Sequence, residues 1–185
     1  MNIVAPIAHP LDPAKFRDPL VTAKGERRAS VHLKTLTTLW FNTGTLCNLT
    51  CANCYIESSP RNDSLAYLDA AEVEGYLDEV AALGRPTRQI GFTGGEPFTN
   101  PAIIAMIEGA LARGFEVLVL TNAMRPMMKL ARPLIGLKDR FGARLVVRVS
   151  LDHYTRAWHE AERGARTWAP AVAGLGWLAA NGFVV

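Results

Sequence analysis

Outside one short stretch the chain has no cysteine: Cys47, Cys51 and Cys54 are the whole complement of a 185-residue sequence. An odd, tightly clustered set cannot pair off internally, so a fold stapled by disulfides explains it poorly. Also missing is any run of roughly 18 apolar residues, the length a membrane-spanning helix needs. The N-terminus, MNIVAPIAHPLDPAKF, lacks the basic start and long apolar core of a secretory signal. Charge of one sign is scarce too, with a formal net charge of +3 and scattered lysines and arginines. That distribution gives no reason to expect a nucleic-acid partner or a membrane-binding face. A soluble, cytoplasmic protein is expected. With 49% hydrophobic and 20% charged residues, the chain has the apolar material for one main globular domain and lacks the signature of disorder.

Residues 1–33, rich in proline and charge and without a helical period, read as an N-terminal extension. Within it the turn signal at Lys24 and Gly25, in VTAKGERRASV, predicts a short hairpin. A core follows over 34–185 with a repeating grammar. Leu36 to Asn42 is an apolar, aromatic candidate strand leading into the cysteine loop. Asp69 and Glu72 have capping-box spacing, and Val73, Tyr76, Leu77, Val80 and Leu83 recur at helical intervals up to Gly84. A second strand is expected around Arg88 to Phe92, then TGGEPFTN, then a helix opened by Asn100 and Pro101 and closed near Gly114. Phe115 to Thr121 is a nearly continuous apolar strand, as when helices cover both faces. In RPMMKLARPLIGL, Pro133 is expected to end or kink a helix. Arg144 to Asp152 reads as the fourth strand, with Ser150 and Asp152 on one side of it. A last helix reaches about Ala180, and NGFVV begins a fifth strand.

Alternating strands and helices predict an α/β fold with parallel strands, either an open doubly wound sheet or a partial (β/α) barrel of about four βα units. A parallel strand normally has neighbours and helical cover, so a chain ending as a fifth strand begins is expected to be a piece of a longer protein.

The cysteines fall at i, i+4 and i+7, which one buried helix face would also produce, and free cysteine is often buried. Asn48, Thr50 and Asn53 between them favour turns, and Gly44 lies just upstream, so a loop wrapped around a metal fits better. Structural zinc needs four protein ligands, and the fourth would have to be one of four scattered histidines. A four-iron cluster takes ordinarily one thiolate per iron, so three thiolates leave one iron open to a small molecule.

Cys-x3-Cys-x2-Cys followed by an aromatic residue, in a loop after a first strand, resembles the signature of the radical S-adenosylmethionine (SAM) superfamily. Gly94-Gly95-Glu96-Pro97, after the second strand, is similar to that family's SAM-binding stretch. The resemblance implies a 4Fe-4S cluster on Cys47, Cys51 and Cys54, whose open iron is chelated by the methionine part of SAM. It further implies that Gly94, Gly95 and Glu96 surround the methionine ammonium, that Asn122 of the Thr121-Asn122 pair lies near SAM, that Ser150 and Asp152 approach its ribose or carboxylate, and that Tyr55 lies beside the adenine. A turn role for Asn122, a helix N-cap role for Asp152 and core packing for Tyr55 are the ordinary alternatives.

His159 to Trp168, HEAERGARTW, is similar to a His-Asp-x-x-Arg-Gly stretch of family members that mature peptides or build cofactors, with Glu160 in place of the aspartate. Its histidine and arginine are expected to order the loop and pair with carboxylates. The implied activity is reductive SAM cleavage to a 5′-deoxyadenosyl radical that abstracts hydrogen from a peptide or small molecule. The implied electron source is a reductant protein such as a flavodoxin or ferredoxin. A non-catalytic or electron-transfer iron-sulfur protein, and a zinc-stabilised binding module, are the competing readings.

Overall fold

The computed structural model describes residues 17–184. Its contacts divide the chain into two units, Met1–Lys34 and Thr35–Val185. In the first, Val21 bridges Arg27 in antiparallel fashion. Thr22 N–H donates to Glu26 O at 2.8 Å and Gly25 N–H to Thr22 O at 2.9 Å, closing a turn at Lys24 and Gly25. Residues 1–16 of the expected extension lie outside the described residues.

The second unit is built on four strands, β1 (Thr38–Asn42), β2 (Gln89–Thr93), β3 (Glu116–Thr121) and β4 (Leu145–Val149), all parallel and in the order β1-β2-β3-β4. The helices are α1 (Ala70–Ala82), α2 (Ile103–Ala112), α3 (Arg125–Lys129), α4 (Ala131–Phe141), α5 (Arg156–Arg163) and α6 (Trp168–Ala180). Val184 bridges Val146 in parallel, with Val147 N–H donating to Val184 O at 3.0 Å, so the chain re-enters the sheet beside β4.

The strand register sorts side chains into layers. Leu39, Ile90, Val117 and Leu145 align across the sheet, and so do Phe41, Phe92, Val119 and Val147. Both rows join one hydrophobic core with Val73 and Leu77 of α1, Ile107 and Leu111 of α2, Leu134 of α4 and Leu178 of α6. The intervening row, Trp40, Gly91, Leu118 and Val146, points to the other face and lies outside that core. The helices therefore cover one face of the sheet. That is the arrangement of a barrel sector, and it corrects the expectation that β3 is helix-covered on both faces: Val117 and Val119 meet helices, whereas Leu118 faces the row that Trp40 occupies.

Several ends differ from the sequence reading for local reasons. The Asp69 and Glu72 capping box forms as expected. After β2, Glu96 caps a short 3-10 turn, Pro97–Thr99, and Asn100 Oδ1 accepts from Ala102 N–H at 2.8 Å, so α2 starts later than Asn100 and Pro101 suggested. Pro133 does not break its helix. The break is at Leu130, and Pro133 lies in the first turn of α4, where its missing N–H has no intrahelical acceptor to lose. β4 ends at Val149, so Ser150 and Asp152 occupy the following loop and not a strand. The single last helix is in fact two, α5 and α6, parted around Gly164.

Gly174 of α6 faces the loop after β3, and a Cβ there would collide with the backbone carbonyl of Ala123. Gly176, on the same helix, faces open space. Gly174→Ala is expected to cost ~1–3 kcal/mol, the usual penalty of overpacking, whereas Gly176→Ala is expected to stabilise by up to ~1 kcal/mol through helix propensity. Urea denaturation of the two variants checks the pair, and equal effects of one sign would contradict this packing.

Candidate functional site

Every strand delivers its C-terminal end to the same edge, and the loops that follow are tied to one another. Thr43 N–H extends the sheet ladder to Thr93 O at 2.8 Å. Gly95 N–H then donates to Gly44 O at 2.8 Å and Glu96 N–H to Leu46 O at 3.1 Å, so the loops after β1 and β2 run side by side. Asn100 Nδ2 reaches back to Thr43 O at 3.0 Å and Leu68 O at 2.8 Å, clamping both ends of the cysteine loop. Gly94 has φ +145°, and a Cβ on it would lie 2.7 Å from Gly44 O; one on Gly95 would strike Leu46 O. Glycine is needed here because two backbones pass in contact.

Inside this frame the cysteine segment is a series of turns, which removes the helix-face alternative. Cys47 is buried, and Cys51 and Cys54 are partly so. Each sulfur has its own N–H neighbour: Leu49 N at 3.4 Å from Cys47 Sγ, Ser58 N at 3.2 Å from Cys54 Sγ, and Arg163 Nη1 at 4.0 Å from Cys51 Sγ. Asn122 Nδ2 adds a second contact to Cys47 Sγ at 3.9 Å. Burial pushes the Cys47 thiol up to about 11, against the Leu49 N–H. Burial also raises Cys51, opposed by the Arg163 charge. At Cys54 burial works in the same direction but is outweighed by the backbone N–H groups of Ser58 and Ile56, which hold the thiol below its ordinary value.

The three cysteines open on a cavity of about 580 Å³ that Tyr55, Gly94, Gly95, Asn122, Ser150 and Asp152 also line. Among the described residues, no three His, Cys, Asp or Glu side chains close around a single ion. Three thiols on one cavity, each with an N–H neighbour, can hold three irons of a four-iron cluster, whereas a structural zinc site takes four protein ligands. Tyr55 is 79% exposed, so it is not packed on the core as the ordinary alternative supposed.

Glu96 is the one expected site residue that does not line the cavity. Its carboxylate is buried beside the loop after β3, accepting from Thr121 Oγ1 at 2.7 Å, Asn122 N at 2.8 Å and Phe98 N at 3.2 Å. Burial raises its pKa to about 7 even against those three donors. Asp152 is not a helix N-cap: both of its oxygens are held by Arg163, from Nε at 2.5 Å and Nη2 at 2.9 Å. Ser150 N–H donates to Thr121 O at 2.8 Å, joining the loops after β3 and β4.

Arg163, Glu162, Asn53 and Ser58 also line the cavity, and the sequence reading did not place them there. Arg163 left a signal, the Arg-Gly of the HEAERGARTW stretch; the buried Ser58 left none. Arg163 does pair with a carboxylate as expected, but His159 does not. It is buried edge-on against Trp168, with ring centroids 5.5 Å apart and neither ring nitrogen hydrogen-bonded among the described residues. Burial holds its imidazole below the usual pKa.

A parallel β/α barrel sector with a three-thiol centre and a small-molecule cavity at its C-terminal edge defines a class of cofactor-binding barrel proteins. Residues 41–185 match the Radical SAM superfamily, so the chain belongs to that superfamily, whose cofactors are a 4Fe-4S cluster and SAM. It is 30% identical over 120 residues to the antilisterial bacteriocin subtilosin biosynthesis protein AlbA of Bacillus subtilis, covering 65% of this chain and 25% of that protein. It is 31% identical over 137 residues to the mycofactocin maturase MftC of Mycobacterium ulcerans, covering 74% of this chain and 35% of that one. The chain thus spans a quarter to about a third of these relatives' length. In fold it is similar to Streptococcus suis SuiB bound to SAM, with TM-score 0.64 at 16% identity over 80% of this chain and 32% of that one. SuiB bound to its precursor peptide SuiA gives TM-score 0.66 at 16% identity over 82% and 32%.

Glu96→Gln is expected to cost ~1–3 kcal/mol, because its amide can keep two donors satisfied but turns an NH2 toward the Asn122 N–H. The folded carboxyl keeps its proton to about pH 7, whereas an ordinary one releases it near 4.5. The unfolded state binds fewer protons across that interval, so the contribution of Glu96 to stability falls as pH rises from about 4.5 to about 7 and is level above it. Urea midpoints across that range check this: the slope should be present in the parent and reduced in the variant.

Proposed function

We propose that this chain carries the cluster- and SAM-binding centre of a radical enzyme acting on a peptide. The observation that carries the reading is the placement of Cys47, Cys51 and Cys54 on the same cavity as the Gly94-Gly95 backbone. On this reading the three thiolates hold three irons of a 4Fe-4S cluster. The chemistry that cluster supplies with SAM is one-electron cleavage to methionine and a 5′-deoxyadenosyl radical that abstracts hydrogen. The chain's own residues bind and orient. Gly94 and Gly95 let the backbone approach the methionine end, with Glu96 fixing the loop beneath them. Asn122 and Ser150 offer polar groups along the cavity, Asp152 offers the lone pairs that Arg163 leaves, and Tyr55 offers an aromatic face for the adenine.

A peptide substrate is favoured by the relatives: AlbA serves bacteriocin biosynthesis, MftC is a maturase, and SuiB is seen with a precursor peptide. A reductant protein such as a flavodoxin or ferredoxin would supply the electron, and a reducing cytoplasm suits a centre of three unpaired cysteines. No helix among the described residues is long and apolar enough to cross a membrane.

Anaerobic reconstitution with iron and sulfide, then reduction in the presence of SAM, tests the reading. Release of 5′-deoxyadenosine is the expected result, and an intact cluster that neither binds nor cleaves SAM would sink it. Cys51→Ala is expected to lose most of the iron and sulfide, read by elemental analysis. Gly95→Ala, whose Cβ would strike Leu46 O beside Cys47, should weaken SAM binding at least about tenfold, or ~1.4 kcal/mol, read by titration calorimetry, and also lower the iron content.

A further inference from the structure

Arg163 does not belong to the cysteine loop, yet it is built into its wall. It ends α5, and its neighbour Glu162 ties that last turn to the segment between Cys51 and Cys54: Ala52 N–H donates to Glu162 O at 2.9 Å, and Asn53 Nδ2 donates to the Glu162 carboxylate. The Arg163 side chain is only 18% exposed. Its Nε and Nη2 edge is taken by the two oxygens of Asp152, at 2.5 Å and 2.9 Å. The remaining nitrogen, Nη1, is thereby aimed at Cys51 Sγ, 4.0 Å away. A planar fork anchored along one edge presents its third nitrogen in a fixed direction, which an ammonium on a flexible stem cannot do.

The three sulfurs are therefore unequal. Cys47 and Cys54 face backbone N–H groups, and Cys51 faces a cation. Asp152 faces Cys51 with the opposite sign, so the pair acts as a small oriented dipole with its positive end nearer the sulfur. Charge and hydrogen bonds at the sulfurs set the reduction potential of an iron-sulfur cluster, because reduction adds one negative charge to it.

We propose that Arg163, fixed in place by Asp152, is a positioning residue that raises the potential of the cluster by directing its guanidinium at the Cys51 sulfur. The proposal rests on the cluster reading given above. It makes ease of reduction depend on the loop after β4 and on α5, outside the cysteine motif. The two residues shift the potential in opposite directions: removing the cation makes the cluster harder to reduce, and neutralising Asp152 leaves the cation uncompensated and makes it easier.

Redox titration of the reconstituted protein by EPR, with iron and sulfide measured on each sample, tests this. At a fixed solution potential Arg163→Gln is expected to shift the oxidised-to-reduced ratio at least tenfold toward oxidised, equal to 59 mV for one electron. Asp152→Asn is expected to shift it toward reduced. A fully loaded R163Q with the parent potential overturns the proposal, as does a D152N that is unshifted or moves with R163Q. If R163Q loses its iron, D152N decides by the same criterion. A parent that assembles no four-iron cluster overturns the underlying reading, which the iron and sulfide content shows before any potential is measured.

Discussion

The carboxylate of Glu96 leaves on the loop after β2 but takes two of its three donors from the end of β3 and the residue after it, Thr121 Oγ1 and Asn122 N. Few arrangements satisfy a buried carboxylate, and leaving one without donors is costly enough to make its contacts obligatory. The same residue's backbone N–H is spent on Leu46 O in the cysteine loop. One residue thus fixes the spacing of three strand-end loops, and with them the distance between the glycine backbone and the thiols. The cavity is a consequence of that bracing: Asn122 is held by its own N–H on Glu96, which places its side-chain amide against Asn48 at 2.9 Å and near Cys47.

Much of this was legible in the sequence, and the legible part was local. The cysteine spacing, the Gly94-Gly95 pair and the Asp69 capping box are features of a few consecutive residues, and in the fold they lie where the pattern puts them. Strand ends were legible to within a residue or a few because parallel strands are bounded by loop chemistry. What local pattern does not show is the partner of a side chain when that partner is distant. Glu96 reads as a ligand contact beside two glycines, and two of the three donors to its carboxylate come from residues 25 and 26 positions away. Asp152 reads in sequence as a ligand contact or a helix cap; it lines the cavity and is no cap, and the partner of its two oxygens is Arg163, 11 positions on. Pro133 leaves its helix intact because a proline interrupts a helix only where an N–H is needed, and the break at Leu130 puts Pro133 in the first turn of a new helix.

With helices on one face only, the row of Trp40, Gly91, Leu118 and Val146 lies on the other face, outside the hydrophobic core. Gly91 is small because Trp40 lies across it: a Cβ there would enter the indole ring. The ring thus lies over Gly91 and is 43% exposed, an apolar surface on the face of the sheet away from the helices.

Preorganisation of the thiols follows from where their N–H neighbours originate. The backbone donors at Leu49 and Ser58 are fixed by the loop's own turns, and Cys47 adds a contact from outside it, from Asn122 Nδ2. The donor at Cys51 comes from α5, which follows β4 in the chain, and Glu162 on that helix holds the backbone of Ala52. The central cysteine of the motif is therefore completed last in chain order and by the most distant element. A sequence motif can specify three ligands within eight residues, but the surroundings of the middle one are specified by the fold as a whole.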